Sequence, residues 1–105
     1  MKTNNAILLS IKELVNKVDP KAQVILYGSF ARGDQRKNSD LDILILLDKQ
    51  YISYSDEKQI KYPLYDLEFE TGQIISPLVL SKNAWEHKHK LSPFFENVSK
   101  EGIVL

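Results

Sequence analysis

Two apolar runs typical of β-strands, residues 23–27 and 41–47, constrain this chain more than any other feature of its sequence. After Asp42 the second run is apolar at successive positions, which indicates a central strand covered on at least one side by helices. The polar stretch between the runs begins with Gly28 and Ser29 and ends with Asp40, and Asp42 follows two residues later. The sequence therefore predicts an α/β (α+β) domain in which a glycine–serine turn follows one strand and an aspartate pair lies at the entrance of the next.

The glycine–serine turn is suited to binding an anion. Gly28 permits backbone angles that other residues avoid, and it leaves room for a ligand to approach the main chain. Ser29 is a favourable N-cap residue, so we expect it to begin a short helical segment at residues 30–32. The free amide groups at such a turn would face a phosphate group.

The aspartate pair is suited to binding a divalent cation. On a strand, Asp40 and Asp42 would share one face, with their Cα atoms roughly 6.6–7 Å apart. This spacing suits two carboxylates that share one Mg²⁺ ion or bridge two ions about 3.5–4 Å apart. Magnesium usually takes only one or two carboxylates and completes its shell with water and substrate phosphates. The pair therefore points to a nucleoside triphosphate as the substrate.

The combination of Gly28-Ser29, ten intervening residues and Asp40-x-Asp42 resembles the signature of the DNA polymerase beta-like nucleotidyltransferase superfamily. The resemblance extends to Phe30-Ala31-Arg32-Gly33-Asp34 and Ser39 between the two motifs, and it is greatest to the minimal nucleotidyltransferase branch, which is related to kanamycin nucleotidyltransferase. It is sharp over residues 23–47 and looser over the rest of the chain.

The resemblance implies a nucleotidyltransferase fold, with a small mixed sheet of three to four strands and helices packed mainly on one face. It also implies Mg²⁺-dependent transfer of a nucleoside monophosphate from a nucleoside triphosphate, with ATP favoured, to a hydroxyl acceptor. Asp40 and Asp42 would be the catalytic residues and the ligands of a two-metal site. Gly28, Ser29 and Arg32 would bind the nucleotide.

A third acidic residue normally completes the metal site in this superfamily, on the strand that follows the aspartate pair. In this chain Ser76 falls at that position of the predicted strand 73–80, which contains no carboxylate. Glu68 or Glu70 could take the role if residues 65–70 formed a strand. The alternative function is a catalytically degenerate nucleotidyltransferase-fold module that holds a partner protein.

Elsewhere the apolar spacing of residues 5–18 predicts an amphipathic helix. Residues 53–72 leave two structures open. Ser53 or Ser55 could cap a helix over this segment, whereas the alternation at 65–70 is typical of a half-buried strand. We favour the helix.

The last third of the chain predicts one strand and two short helices. Pro77 cannot donate a hydrogen bond to a neighbouring strand, so strand 73–80 should lie at a sheet edge or contain a bulge. The helices should cover residues 83–91 and 93–100, the second capped by Ser92. His87 and His89 are interpreted as a solvated helix end rather than a zinc site.

The composition narrows the class of protein. The 105 residues suffice for one domain over 1–105, and the formal net charge is zero, which disfavours nucleic-acid binding. The absence of cysteine is consistent with a cytoplasmic protein, and no apolar run is long enough to cross a membrane. So short a chain would need an acceptor presented by another polypeptide. The resemblance implies an all-helical HEPN-type partner in a toxin–antitoxin-like module, and the sequence leaves homo-oligomerisation open.

Overall fold

The computed structural model describes residues 2–87 and 92–105. The helices and strands in chain order are α1 (Lys2–Val18), β1 (Gln23–Tyr27), α2 (Ser29–Arg32), β2 (Leu41–Leu47), α3 (Tyr54–Thr71), β3 (Ile75–Ser81), α4 (Lys82–His87), α5 (Pro93–Glu101) and β4 (Ile103–Val104). The predicted strands 23–27 and 41–47 are both confirmed. None of the described helices is long and apolar enough to cross a membrane.

The four strands form one mixed sheet in the order β3-β2-β1-β4. The register of the antiparallel pair β1 and β2 places Tyr27 opposite Asp42. The register of the parallel pair β2 and β3 places Ser76 beside Asp42. Because β3 lies at the edge of the sheet, Pro77 takes the edge position that its missing N–H predicts.

Helices cover both faces of the sheet, and the larger core lies on the face covered by α1 and α3. That core contains buried residues of α1, α2 and α3 and of β1, β2 and β3: Ile7, Ile11, Val15, Val24, Leu26, Phe30, Leu41, Ile43, Ile45, Leu47, Ile60, Leu64, Ile75 and Val79. A smaller cluster on the other face packs α4 and α5 against the sheet: Ile25, Leu44, Leu46, Trp85 and Val98. Strand β2 contributes to both clusters, which explains why its sequence is apolar at successive positions.

Residues 53–72 form the favoured helix, and the alternative strand at 65–70 is wrong. Ser53 caps α3 by accepting a hydrogen bond from the Asp56 backbone, and the Asp56 side chain accepts one from the Ser53 backbone. Ile60 and Leu64, four residues apart, are buried against the sheet. This burial, together with the capping box, outweighs the cost of Pro63 inside the helix.

The remaining elements differ from the sequence predictions in their limits. Strand β3 begins at residue 75 rather than 73. The described part of the first short helix is Lys82–His87, and the rest of the prediction for 83–91, including His89, lies outside the described residues. Ser92 caps α5 as expected, since its side chain accepts a hydrogen bond from the backbone of Phe95. Strand β4 was not predicted because its two residues are too few to show a pattern.

Candidate active site

Gly28 forms the turn between β1 and α2. Its φ angle of 77° and ψ angle of −156° belong to a region that is essentially restricted to glycine. The predicted role of Ser29 as N-cap is wrong: α2 begins at Ser29 and Gly28 is the N-cap residue, without a side-chain capping bond. Helix α2 starts immediately after Gly28, because the Gly28 carbonyl accepts the first helical hydrogen bond, from the Arg32 amide at 3.1 Å.

Gly28 also lies directly against Asp42. A Cβ atom at Gly28 would overlap Oδ2 of Asp42 and would lie 3.1 Å from its Cγ. The register of β1 and β2, which pairs Tyr27 with Asp42, produces this contact. The structure thus brings together the glycine–serine turn and the aspartate pair, which are separate in the sequence.

Asp42 occupies an environment that disfavours its own negative charge. The carboxyl group is partly buried, and burial raises its pKa above the ordinary value of 3.8. The negative charge of Asp40 raises the pKa further, whereas the positive charge of Arg32 lowers it. A cation bound between Asp40 and Asp42 would remove this repulsion, so the electrostatics of the pair favour cation binding.

Ser76 stands where the superfamily resemblance implies a third carboxylate. Its hydroxyl donates a hydrogen bond of 3.2 Å to Oδ2 of Asp40. Glu68 is engaged elsewhere, because its Oε1 accepts a hydrogen bond of 2.8 Å from the Ile75 amide. Glu70 lines a groove between α1 and α3. Within residues 2–87 and 92–105, no group of three or more Asp, Glu, His or Cys side chains could hold a metal ion.

The donor atoms at the site nevertheless fit magnesium. Two carboxylates and one hydroxyl are hard oxygen donors, and Mg²⁺ is commonly held by one or two carboxylates together with substrate phosphates. The main chain at Gly28 lies directly against one of these carboxylates, because a Cβ at this position would overlap Oδ2 of Asp42. Asp40 and Asp42 are the residues that would hold the ion.

Hydrogen bonds made by Ser39 and Leu41, the residues on either side of Asp40, fix the position of its backbone. The Gln73 side chain donates to the Ser39 carbonyl at 3.0 Å, and the Leu41 amide donates to the Ile74 carbonyl at 2.9 Å. The Arg36 amide donates to the Ser39 hydroxyl at 2.7 Å. These contacts join the end of the polar loop to the start of β3, so Asp40 is held from both sides.

The family of this chain follows from comparison with known proteins. A family model described as "Nucleotidyltransferase domain" matches residues 7–96. The chain belongs to the nucleotidyltransferase domain family. This family assignment confirms the superfamily resemblance and the prediction of a nucleotidyltransferase enzyme.

Two relatives of this nucleotidyltransferase come from Methanocaldococcus jannaschii. One, named "Putative protein adenylyltransferase MJ0604", is 36% identical over 104 residues, covering 91% of this chain and 94% of the relative. The other, named "Putative protein adenylyltransferase MJ0141", is 39% identical over 70 residues, covering 66% of each chain.

A solved structure supports the fold independently. The nucleotidyltransferase resembles a chain in a structure described as "Crystal structure of the toxin-antitoxin with AMP-PNP", with a TM-score of 0.65 and 18% identity. The match covers 91% of this chain and 69% of that chain. The predicted nucleotidyltransferase fold with a small mixed sheet of three to four strands is therefore confirmed. Helices were expected mainly on one face of the sheet, and the structure has α1 and α3 on one face and α4 and α5 on the other.

Arg32 of the nucleotidyltransferase has two carboxylate partners. Its Nε lies 3.1 Å from Oδ2 of Asp34, and its Nη1 lies 3.3 Å from Oε1 of Glu101. Hydrogen bonds to Asp34 and then to Glu101 raise the pKa of the guanidinium. Glu101 is 69 residues away in sequence, so no local pattern could have revealed this contact.

Tyr27 is a residue of the site that the sequence reasoning missed. It lies opposite Asp42 across the strand pair, and its ring contacts Phe94 edge-to-face with centroids 5.2 Å apart. Burial raises the pKa of the Tyr27 phenol, and the charge of Asp42 raises it further. The available signal was its position at the end of β1, immediately before Gly28.

Proposed function

We propose that this nucleotidyltransferase transfers AMP from Mg²⁺–ATP to a hydroxyl group of a partner protein. The contact between Gly28 and Asp42 carries the proposal. It places the main chain of the glycine–serine turn directly beside a carboxylate whose charge the surrounding protein disfavours. The names of the two archaeal relatives support a protein as the acceptor and AMP as the transferred group.

Separate groups of residues would bind the phosphates of ATP and the metal ion. The backbone at Gly28 and Ser29 would bind the outer phosphates of ATP, and Asp40 and Asp42 would hold Mg²⁺. When bound, the ion would stabilise negative charge on the pyrophosphate leaving group. The acceptor oxygen would form a bond to the α-phosphorus as the bond to pyrophosphate breaks, and the hydroxyl proton would pass to water.

Arg32 would take part by exchanging partners. A guanidinium group makes forked hydrogen bonds to phosphate as readily as to carboxylate. Because Arg32 is exposed and contacts Asp34 and Glu101 at the surface, a triphosphate could replace these carboxylates at little cost. We therefore retain Arg32 as a nucleotide-binding residue.

The partner protein would be all-helical and of the HEPN type. The resemblance to minimal nucleotidyltransferases supports this partner, and the structural neighbour comes from a toxin–antitoxin complex. The zero net charge of the chain favours a protein acceptor over a nucleic acid.

A second candidate function is a module that holds the partner protein without transferring a nucleotide. One observation favours it: a neutral hydroxyl, Ser76, occupies the position beside Asp42 where the resemblance implies a third carboxylate. Two carboxylates could still bind Mg²⁺–nucleotide without supporting efficient deprotonation of an acceptor.

The deciding experiment is incubation with α-labelled ATP and Mg²⁺, with and without the protein encoded by the neighbouring gene. We expect label on the partner protein, and loss of the label in Asp40→Asn and Asp42→Asn variants that remain folded. Asp66→Asn is the control, because it removes one exposed carboxylate of α3 outside the site. If none of the four α-labelled nucleoside triphosphates labels the partner protein, although the partner still binds, the non-catalytic module is established instead.

A further inference from the structure

Arg32 and Glu101 form an ion pair at the edge of the candidate active site. Nη1 of Arg32 lies 3.3 Å from each carboxylate oxygen of Glu101. Arg32 is the last residue of α2, and its amide donates to the carbonyl of Gly28, one helical turn earlier. The charge of Arg32 opposes the rise in the pKa of Asp42, so the guanidinium lies within electrostatic reach of the aspartate pair. The ion pair therefore connects the C-terminal part of the chain to the predicted phosphate site.

The backbone around Glu101 is fixed on both sides. Before it, Val98 of α5 is buried against the sheet, and its carbonyl accepts a hydrogen bond of 2.7 Å from the Gly102 amide. A Cβ at Gly102 would lie 2.5 Å from this carbonyl oxygen and 2.8 Å from Cγ2 of Ile25, so the main chain packs tightly there. After it, β4 pairs with β1. The carboxylate of Glu101 can rotate about its own side-chain bonds, but it stays close to Arg32.

Glu101 is the less exposed of the two carboxylates that contact Arg32. The Asp34 side chain is 61% exposed, whereas the Glu101 side chain is 25% exposed. Water and salt screen a charge less when it has less contact with solvent. Glu101 therefore contributes more than Asp34 to the negative potential at the guanidinium, and it is the stronger competitor for any anion that binds there.

We propose that Glu101 competes with the triphosphate of ATP for Arg32 and so limits the affinity of the site for the nucleotide. The N–H groups of a guanidinium that bind carboxylate oxygens also bind phosphate oxygens. A triphosphate must therefore displace the Glu101 carboxylate. Because the backbone holds Glu101 in place, its negative charge remains beside the bound phosphates. This inference rests on the proposed function, since it assigns Arg32 to the nucleotide, and Glu101 acts through Arg32.

A purely structural role of the ion pair predicts a different result. If Glu101 only held Arg32 in position, loss of the carboxylate would leave the guanidinium less ordered and would weaken nucleotide binding. Competition predicts tighter binding after the same change. A partly exposed ion pair contributes little to stability, so the variant should remain folded in either case. The sign of the change in affinity separates the two roles.

Equilibrium binding of α,β-methylene-ATP in the presence of Mg²⁺ tests the proposal. The methylene group replaces the oxygen of the bond that transfer would break, so binding is measured without reaction and without the partner protein. We expect Glu101→Gln to tighten binding by about two- to fivefold, the range that corresponds to a partly exposed ion pair. Glu96→Gln is the matched control, because Glu96 lies on the same helix and pairs with Lys100 instead. Equal thermal midpoints would show that the variants are folded.

A double-mutant cycle tests whether Glu101 acts through Arg32. Arg32→Gln alone should weaken binding of the analogue. In the Arg32→Gln background, Glu101→Gln should no longer tighten binding, because the guanidinium for which the carboxylate competes is absent.

Two results would overturn the role of Glu101 alone: unchanged or weaker binding in Glu101→Gln, or an equal gain in affinity with and without Arg32. If neither the wild type nor Glu101→Gln binds the analogue, this proposal and the proposed function are both wrong. Tighter binding in Glu101→Gln that depends on Arg32, together with no transfer of label to the partner protein, would support the role of Glu101 and overturn only the transfer reaction.

Discussion

The hydroxyl of Ser76 donates a hydrogen bond of 3.2 Å to Oδ2 of Asp40, from the strand position that lies beside Asp42. A carboxylate at this position would face the aspartate pair across the parallel strands. The serine therefore determines how many negative charges the site presents to a cation.

Replacing Ser76 should change metal affinity in a predictable direction. Ser76→Asp should tighten binding of Mg²⁺ or Mn²⁺ by on the order of tenfold, because affinity for hard cations increases with the number of charged oxygen ligands. Isothermal titration calorimetry of the folded variants would measure the change in metal affinity, with Ser76→Ala as the control for loss of the hydroxyl. Equal affinity of Ser76→Asp and wild type would show that the residue 76 side chain does not reach the ion.

Gly28→Ala should destabilise the protein more than a similar substitution at Gly33. Both glycines have positive φ angles, 77° and 80°, but a Cβ at Gly33 meets no atom within 4 Å. Backbone strain alone should cost about 1 kcal/mol at Gly33. Strain together with the overlap on Asp42 should cost about 2–4 kcal/mol at Gly28. Urea unfolding of both variants would measure the difference, and equal losses would contradict the close approach.

Asp42→Asn should stabilise the metal-free protein at neutral pH. Burial and Asp40 raise the pKa of Asp42 above 3.8, so ionisation costs more in the folded than in the unfolded state. The wild type should therefore lose stability as pH rises from 3.8 through the raised pKa, and the variant should not. Unfolding free energies measured across this range with a chelator present would test the sign.

Two comparisons make that experiment decisive. Asp66→Asn controls for the removal of one negative charge, and Mg²⁺ should stabilise the wild type but not Asp42→Asn. An Asp42→Asn variant less stable than the wild type at neutral pH would contradict the burial of an unfavourable charge.

Asp56 should stabilise α3 at neutral pH and lose this effect in acid. Hydrogen bonds from Lys49 and then from the Ser53 backbone lower the pKa of Asp56 from 3.8 to about 2. The ionised group therefore stabilises the fold above pH 3.8, and this contribution disappears as pH falls through about 2. Asp56→Asn should flatten the pH dependence of the unfolding free energy in that interval.

The capping partner gives an independent check on the start of α3. Ser53→Ala should cost about 1 kcal/mol, because the Asp56 amide loses its acceptor. Ser55→Ala is the matched control, since Ser55 lies inside the helix and is exposed. Equal losses for the two variants would contradict the capping box.

Local patterns were sufficient for most of the secondary structure. Strands β1 and β2 are mainly apolar runs flanked by polar residues, and α3 is delimited by Ser53 and Gly72, so each could be predicted from neighbouring residues. The start of α2 was misplaced by one residue because the glycine geometry overrides the capping preference of serine. Strand β4 depends on pairing with β1 and has no pattern of its own.

The sequence by itself determined which groups could bind phosphate and metal, since the types and spacing of Gly28, Ser29, Asp40 and Asp42 specify that chemistry. The tertiary structure alone decided which groups meet. Strand register placed Gly28 against Asp42 and Ser76 beside the pair, and the packing of α5 brought Glu101 to Arg32. The physical reason is that residue types and short-range periodicity are local properties of the chain, whereas register and helix packing depend on burying apolar surface between distant segments.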